Sequence, residues 1–482
     1  MKALTAIIKL TLRNAIRSHV FQLLLLFLLL CVGLVPTTVG GGTATDFIRV
    51  SLLYSLSGVG TILSLSALWV GCQVMSSDID SYQLHMVVSK PVSRVTIWLG
   101  KYLGVLILHL VLLAIAATAI YGVVLWRFRN GDFSKAERVR IENEVLVGRR
   151  VFLPAQPDYA KEAAELRDDK IRKQLAEGRR KDPNVSPKEQ KRIYKECLKE
   201  LIARDSEVEA GKRREWTFGK VPRNTGRMLY LRYRPYVNKV RSEDQRETAL
   251  WWYVYAPRQA AKPAPGGAEA APDTENAGEL QRFPHYLTFA PEPVMAGEFH
   301  EKRLPGDREI VSPKGEVRIG VMNFDPKRNK QFYQPNDGPM LLVEVTGFLG
   351  NYSRAVLVMA LQLAMMAAIS CALGGFLTLP MAVFVSMSYL LFGFMATFMT
   401  DPEFYVNGAM DRAGQWMSWL ILDVVVPLER FDVTDLIADG KLVEWGLVWN
   451  ITWSCLLLRT LPLALLGIYF YRRREIGLVI RK

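Results

Sequence analysis

Apolar residues in this chain come in long unbroken runs, separated by stretches dense in charge. Across residues 355–399, 45 positions pass without Asp, Glu, Lys or Arg, whereas one membrane-crossing helix needs only about 20 apolar residues. That run is long enough for two helices, with Gly374-Gly375 and Leu379-Pro380 breaking it into a hairpin. Residues 20–39 form a nearly pure Leu/Phe/Val segment, residues 50–75 and 102–126 are uncharged throughout, and residues 447–471 carry only Arg459. The pattern predicts an α-helical polytopic membrane protein with six transmembrane helices. Three lie on either side of a polar insert over residues 127–352.

Charge then bears on orientation. The formal net charge is +14, but the insert holds 43 of the 61 Lys and Arg and 34 of the 47 Asp and Glu, a surplus of 9. Three other segments concentrate cations: the N-terminus (Lys2, Lys9, Arg13, Arg17), the loop after the second span (Lys90, Arg94, Lys101) and the tail 472–482 (Arg472, Arg473, Arg474, Arg481, Lys482). With six spans these segments share one face, which the positive-inside rule makes cytoplasmic. The insert is then extracytoplasmic, since long translocated domains largely escape that rule. The charge therefore points to a membrane surface and not to nucleic acid. Residues 1–18 place Lys9, Arg13 and Arg17 on one stripe with Ile8, Leu12 and Ile16 beside it, an amphipathic interfacial helix. No small-residue cleavage site follows Val35, so the first span is not read as a signal peptide. The five cysteines are scattered and form neither a disulfide framework nor a CxxC metal site.

Between the second and third spans the chain runs from Ser76 to Lys101, with Asp78 and Asp80 followed by Gln83, Leu84, Lys90, Pro91, Ser93 and Arg94. The acidic residues are expected to open a short helix, where they suit the positive end of its dipole. Lys90-Pro91 stops that helix, because the residue before proline is pushed out of helical geometry. A second helix then runs from Ser93 directly into the third span. The expected product is a short lever lying across the inner face, joined to two spans.

This loop resembles that of the permease subunits of ABC-2 type transporters, through Ser89-Lys90-Pro91-Val92-Ser93-Arg94 and Leu99-Gly100-Lys101. Residues Val425-Val426-Pro427-Leu428-Glu429-Arg430-Phe431-Asp432, within the outer amphipathic loop 400–445, and the tail Tyr471-Arg472-Arg473-Arg474-Glu475 are similar to the same family. The family often has a Gly-Thr-Leu-like stretch after the acidic residue, where this chain has Ser81-Tyr82-Gln83-Leu84. The insert has no part in the resemblance.

The resemblance implies an export permease in the bacterial cytoplasmic (inner) membrane. It would pair with a second permease chain and rest on a separate ATP-binding cassette ATPase subunit that binds Mg-ATP. Asp78, Asp80, Gln83, Leu84, Lys90, Pro91, Ser93 and Arg94 would form the ATPase-coupling loop. The chain itself shows no ATPase motif, since Tyr102 follows Gly100-Lys101 where a phosphate loop needs Ser or Thr. No cofactor is expected in this chain.

A charge within a span is costly, which marks Arg459 as a candidate functional residue. It either pairs with Asp423 or Glu429 or reaches the outer headgroups. His109 and Gln362 read as hydrogen-bonded packing residues. Gly100 and Gly104 form a small-xxx-small pair. In the insert, residues 158–214 predict a charged helical hairpin. Strand-like runs at 143–153, 228–236, 249–255, 286–290, 316–323 and 340–345 predict a β-sandwich, making an α+β domain with a flexible loop at 257–278. Trp251, Tyr253 and Tyr255 are sheet core or a sugar-stacking platform, with core favoured. His285, His300 and Glu301 could suggest a metal, but no pattern fixes them as a ligand set and no metal site is read there. The competing reading is a membrane-anchored sensor or scaffold whose outer domain binds a ligand or an envelope partner. A membrane-anchored enzyme would require a catalytic constellation in the insert.

Overall fold

The computed structural model describes residues 2–17, 19–38, 43–80, 92–155, 157–177, 187–223, 228–238, 247–256, 285–305, 310–334, 337–400 and 409–473. The chain separates into a helical unit, Met1–Gly148 with Thr346–Lys482, and a β-rich unit, Arg149–Val345. The helical unit opens with α1 (Lys2–Arg17) and α2 (His19–Thr38). Next come α3 (Ala44–Asp80) and α4 (Arg94–Asn130). At 1.5 Å per residue these two helices are each about 55 Å long. Side chains cap their starts: Asp46 N–H donates to Thr43 Oγ1 at 3.1 Å, and Thr96 N–H to Ser93 Oγ at 3.1 Å. A reciprocal capping box between Ser134 and Glu137 starts α5 (Lys135–Glu144).

The second unit is narrower than the expected 127–352. The third span continues as α4 to Asn130, and α5 buries Ile141 and Val145 in the core of the helical unit. Strand β1 (Val147–Phe152) leads into the hairpin of α6 (Ala160–Ala176) and α7 (Pro187–Ser206). Lys170 pairs with Glu200 at 2.7 Å and Arg204 with Glu162 at 2.6 Å, so the two helices run antiparallel. After β2 (Glu207–Val208) come β3 (Arg213–Phe218), β4 (Leu229–Tyr233), β5 (Tyr236–Val237) and β6 (Glu247–Ala256). Then follow β7 (His285–Thr288), β8 (Glu292–Met295) and β9 (His300–Arg303). The last strands are β10 (Val317–Asn323), β11 (Gln331–Phe332) and β12 (Met340–Gly347).

One sheet runs β1-β12-β4-β9 and another β3-β10-β6-β7, with β8 also on β6; β2-β11-β5 form a small third sheet. The two larger sheets share one core, containing Trp216, Phe218, Leu231, Tyr233, Trp252, Ile319 and Leu341. Strand periodicity explains the split at 251–255: Trp252 and Val254 face this core, while Trp251, Tyr253 and Tyr255 take the opposite face. Strand β3 was not expected: its first two residues fall at the end of the expected hairpin 158–214, and Arg213, Arg214 and Glu215 mask its alternation. The expected loop 257–278 lies outside the described residues.

The chain returns to the helical unit through α8 (Phe348–Phe376) and α9 (Leu379–Thr400). Contrary to expectation, Gly374 and Gly375 do not break this rod; they lie inside α8. A Cβ at Gly374 would meet Cys72 O of α3 at 2.8 Å, so this glycine permits close helix crossing. The break falls at Leu377-Thr378, with Pro380 in the first turn of α9. Helix α10 (Ala409–Val424), a short 3₁₀ turn Leu428–Phe431 and α11 (Thr434–Ala438) follow. The last rod combines α12 (Trp445–Ile451), a wide π segment Thr452–Thr460 and α13 (Leu461–Arg473). Pro462 has no N–H and its ring crowds the carbonyl four residues back, and the widened turns lie just before it.

Five helical stretches among the described residues are long and apolar enough to cross a membrane: Ala44–Ser76, Arg94–Asn130, Phe348–Phe376, Leu379–Ala396 and Trp445–Arg473. The pair Lys2–Arg17 and Phe21–Leu34, bent by 67°, is a further candidate. The chain is therefore a mostly helical membrane protein carrying a β-rich unit.

Candidate functional site

Helix α3 presents Leu56, Gly60 and Ser64, with Ser57, Thr61 and Leu65 beside them, at the three-to-four-residue spacing that keeps side chains on one face. These residues line a cavity of about 120 Å³ together with Met359 and Gln362 of α8, Leu390 and Phe394 of α9, and Leu428, Phe431, Asp432 and Thr434 of the segment after α10. Its walls are of two kinds. One is a hydrocarbon surface of Leu, Met and Phe. The other is a line of small polar groups tied to one another.

Ser57 Oγ donates to Thr434 Oγ1 at 3.2 Å, Thr61 Oγ1 to the Ser57 carbonyl at 2.9 Å, and Gln362 Nε2 to Ser64 Oγ at 3.2 Å. Asp432 Oδ1 accepts from Thr434 N–H at 3.2 Å and from its hydroxyl at 2.6 Å. These bonds satisfy groups that would otherwise be costly among apolar helices, yet leave acceptor capacity on the carboxylate. Gly393 admits the segment after α10, since a Cβ there would lie 2.9 Å from Leu428 Cγ and 3.1 Å from the Val426 carbonyl. Tyr389 pins the same segment by accepting the Val426 N–H at 3.0 Å.

Asp432 belongs to a run of carboxylates along that segment. Asp439 pairs with Arg49 at 3.0 Å and with Lys441 at 2.9 Å. Burial, and then the neighbouring Asp432 and Asp439, push the Asp435 carboxyl above its ordinary value.

Arg459 has a different partner from either carboxylate expected. It lies in the π segment, half-buried, and donates to the Val425 carbonyl at 3.1 Å, not to Asp423 or Glu429. That carbonyl immediately follows α10, whose last carbonyls lack intrahelical partners. A helix C-terminus carries partial negative charge, so a guanidinium there is stabilised without a counter-ion. π segments recur at functional positions; here the wide turn carries Arg459 against the segment that follows α10.

The expected coupling residues are distributed differently from the sequence reading. Asp78 and Asp80 fall in the last turn of α3 and do not open a separate helix, because α3 propagates beyond its apolar span Ala44–Ser76. Gln83, Leu84, Lys90 and Pro91 lie outside the described residues. Ser93 is the N-cap of α4, and Arg94 Nη1 donates to the Arg472 carbonyl at 2.8 Å, tying the start of α4 to the end of α13. Lys101 is buried and donates to the Val74 carbonyl of α3 at 2.8 Å.

His109 bonds the Val105 carbonyl through Nδ1 and Ser66 Oγ through Nε2, the packing role expected of it. Gln362 also bonds between helices, but it lines the cavity as well. The cavity as a whole escaped the sequence reading. Its one local signal was Ser57, Thr61 and Ser64 recurring on one face of an apolar helix.

In the β unit the aromatic strand face is self-satisfied. Tyr253 and Tyr255 both donate to Glu215 Oε1, and Arg318 lies 5.0 Å from the Tyr255 ring centre, so these groups satisfy one another on the outer face. Among the described residues no group of three metal-ligating side chains converges. Comparison with protein families, with curated proteins and with solved structures returns no match.

Proposed function

We propose that the chain is the membrane-spanning permease subunit of an ABC-2 type transporter, exporting a substrate through ATP hydrolysis on a separate subunit. The supporting observation is the continuity of α3. One uninterrupted helix of 37 residues carries the cavity wall at Leu56–Leu65 and ends on Asp78 and Asp80, where the expected coupling loop begins. A push at that end moves the cavity wall directly, because a hydrogen-bonded rod cannot absorb displacement the way a loop can.

In this reading α2 supplies the sixth crossing, both chain ends lie on the cytoplasmic side of the inner membrane, and the β unit is extracytoplasmic. A second permease chain completes the pore across from the cavity. Mg-ATP is bound by the ATPase partner alone. Arg94, fastened to the end of α13, makes the first turn of α4 and the last rod move together.

The test is co-purification of the full chain with an ATPase subunit carrying phosphate-loop and signature motifs. ATPase activity is then measured after Arg94→Glu and after deletion of residues 78–88. The reading requires loss of assembly or of stimulated hydrolysis in both variants. Unchanged assembly and turnover in both would refute it.

A further inference from the structure

The expected interfacial helix α1 does not rest on a leaflet by its apolar face, because that face is occupied by protein. Ile7 and Thr11 pack onto α4 at two glycines of the small-xxx-small pair. A Cβ at Gly100 would lie 2.7 Å from Ile7 Cγ2, and one at Gly104 would lie 2.7 Å from Thr11 Cβ. Thr11 is the buried residue of α1, and its hydroxyl is spent on the Ile7 carbonyl at 3.0 Å. The two glycines thus form a notch that fixes which way α1 is turned.

At 3.6 residues per turn, Lys2, Lys9, Arg13 and Arg17 fall within roughly 80° of one another, on the side of α1 opposite Ile7 and Thr11. All four are exposed, and α1 contains no acidic residue. Among the described residues none of the four makes an ion pair. Leu10 and Ile16, each about half exposed, flank the cationic strip.

The direction of this strip follows from its mounting. Helix α4 is one of the long apolar spans, and Gly104 lies about 15 Å along it from Arg94. The face of α1 that points away from a membrane-crossing rod points sideways, into the layer surrounding the first turns of that rod. The uncharged run of α4 begins at Tyr102, between Gly100 and Gly104, so the layer at the level of the notch is the boundary where phospholipid headgroups meet hydrocarbon. We infer that α1 is a binding surface for anionic phospholipid, with Lys2, Lys9, Arg13 and Arg17 as a headgroup comb and the Gly100/Gly104 notch holding it in register. The attraction is chiefly electrostatic, since Ile7 and Thr11 are packed against α4 and Leu10 and Ile16 are the large apolar side chains of α1 left exposed. The inference requires only that α4 crosses the bilayer, not that the chain is a transporter.

The test uses the full-length protein in non-ionic detergent, titrated with fluorescent short-chain phosphatidylglycerol and, separately, phosphatidylcholine. Saturable binding of the anionic lipid is expected, weakening as salt rises, because screening acts on exposed charge. Lys9→Gln/Arg13→Gln/Arg17→Gln should lower that affinity by roughly tenfold or more at unchanged melting temperature. If the triple variant does not fold, the salt titration on the unaltered chain and the single variant Arg13→Gln, expected to bind a few-fold more weakly, carry the decision. Equal affinity for the two lipids, salt-independent binding, or unchanged anionic-lipid binding in the charge variants would overturn the inference. So would a triple variant that keeps its lipid but loses a co-purifying acidic protein, which would show that the strip faces a protein. Gly104→Leu leaves every cation in place but fills the notch, and it should also lower anionic-lipid affinity. Full affinity there would remove the notch from the account.

Discussion

The two units bury charge by different means. In the β unit cations meet carboxylates: Arg149 pairs with Glu301 through two bonds of 2.6 and 3.0 Å, Arg318 with Glu215 at 2.6 Å and Arg214 with Asp205 at 2.7 Å. In the helical unit the partner is most often a main-chain carbonyl. Lys101 uses Val74, Arg94 uses Arg472, Arg354 uses Val443 and Arg459 uses Val425. The difference has a physical origin. Removing two full charges from water costs more than their attraction regains unless the geometry is excellent. The Arg472 and Val425 carbonyls lie at helix ends and need a donor anyway, so each receives a cation without a second charge being buried.

The largest test of this contrast is Glu301→Gln. It leaves Arg149, fully buried, without its carboxylate, and should cost about 3–5 kcal/mol. Urea denaturation followed by near-UV circular dichroism reads it, and a change below 1 kcal/mol would break the comparison. The helical unit should instead be most sensitive to volume. Gly71→Leu places a side chain where a Cβ alone would lie 1.9 Å from Ser370 Oγ, for about 1–3 kcal/mol or more of overpacking. A sharp drop in the monodisperse fraction after extraction is the expected result.

Arg459→Met sharpens the carbonyl side of the comparison. It should cost about 1–3 kcal/mol, the loss of a hydrogen bond to a charged group. Asp423→Asn should stay within about 0.5 kcal/mol of the parent. Equal losses in the two thermal melts would restore the carboxylate as partner.

The smallest effect concerns Asp435. Its folded-state pKa lies above the ordinary carboxylate value, so the native state binds more protons than the unfolded one across that interval. Stability therefore falls as pH rises through it. Asp435→Asn should raise the melting temperature slightly at neutral pH, with the gain fading on acidification toward pH 4. A gain that grows on acidification would reverse the assigned cause.

Much of the helical unit was legible because hydropathy is a local property. The uncharged runs at 50–75, 102–126 and 355–399 need no knowledge of their neighbours to demand a membrane. Trp252 and Val254 also declared a strand by local alternation, whereas β3 was concealed by its charged start. The local placement of Asp78 and Asp80 was misread for a related reason. Their acidity suggested a helix start, but the length to which α3 propagates depends on packing beyond the loop.

The order of apolar and polar segments by itself determined that this chain enters a membrane and where a separate polar unit interrupts its rods, because each follows from the solvent a contiguous stretch requires. Tertiary structure alone decided what those rods do to one another. Ser57, Gln362, Phe394 and Asp432 are hundreds of residues apart at the extremes, and only packing brings them around one cavity. Arg459 acquires its partner, and α1 its facing, from glycine notches and helix ends on other segments, and those distances are written in no local pattern.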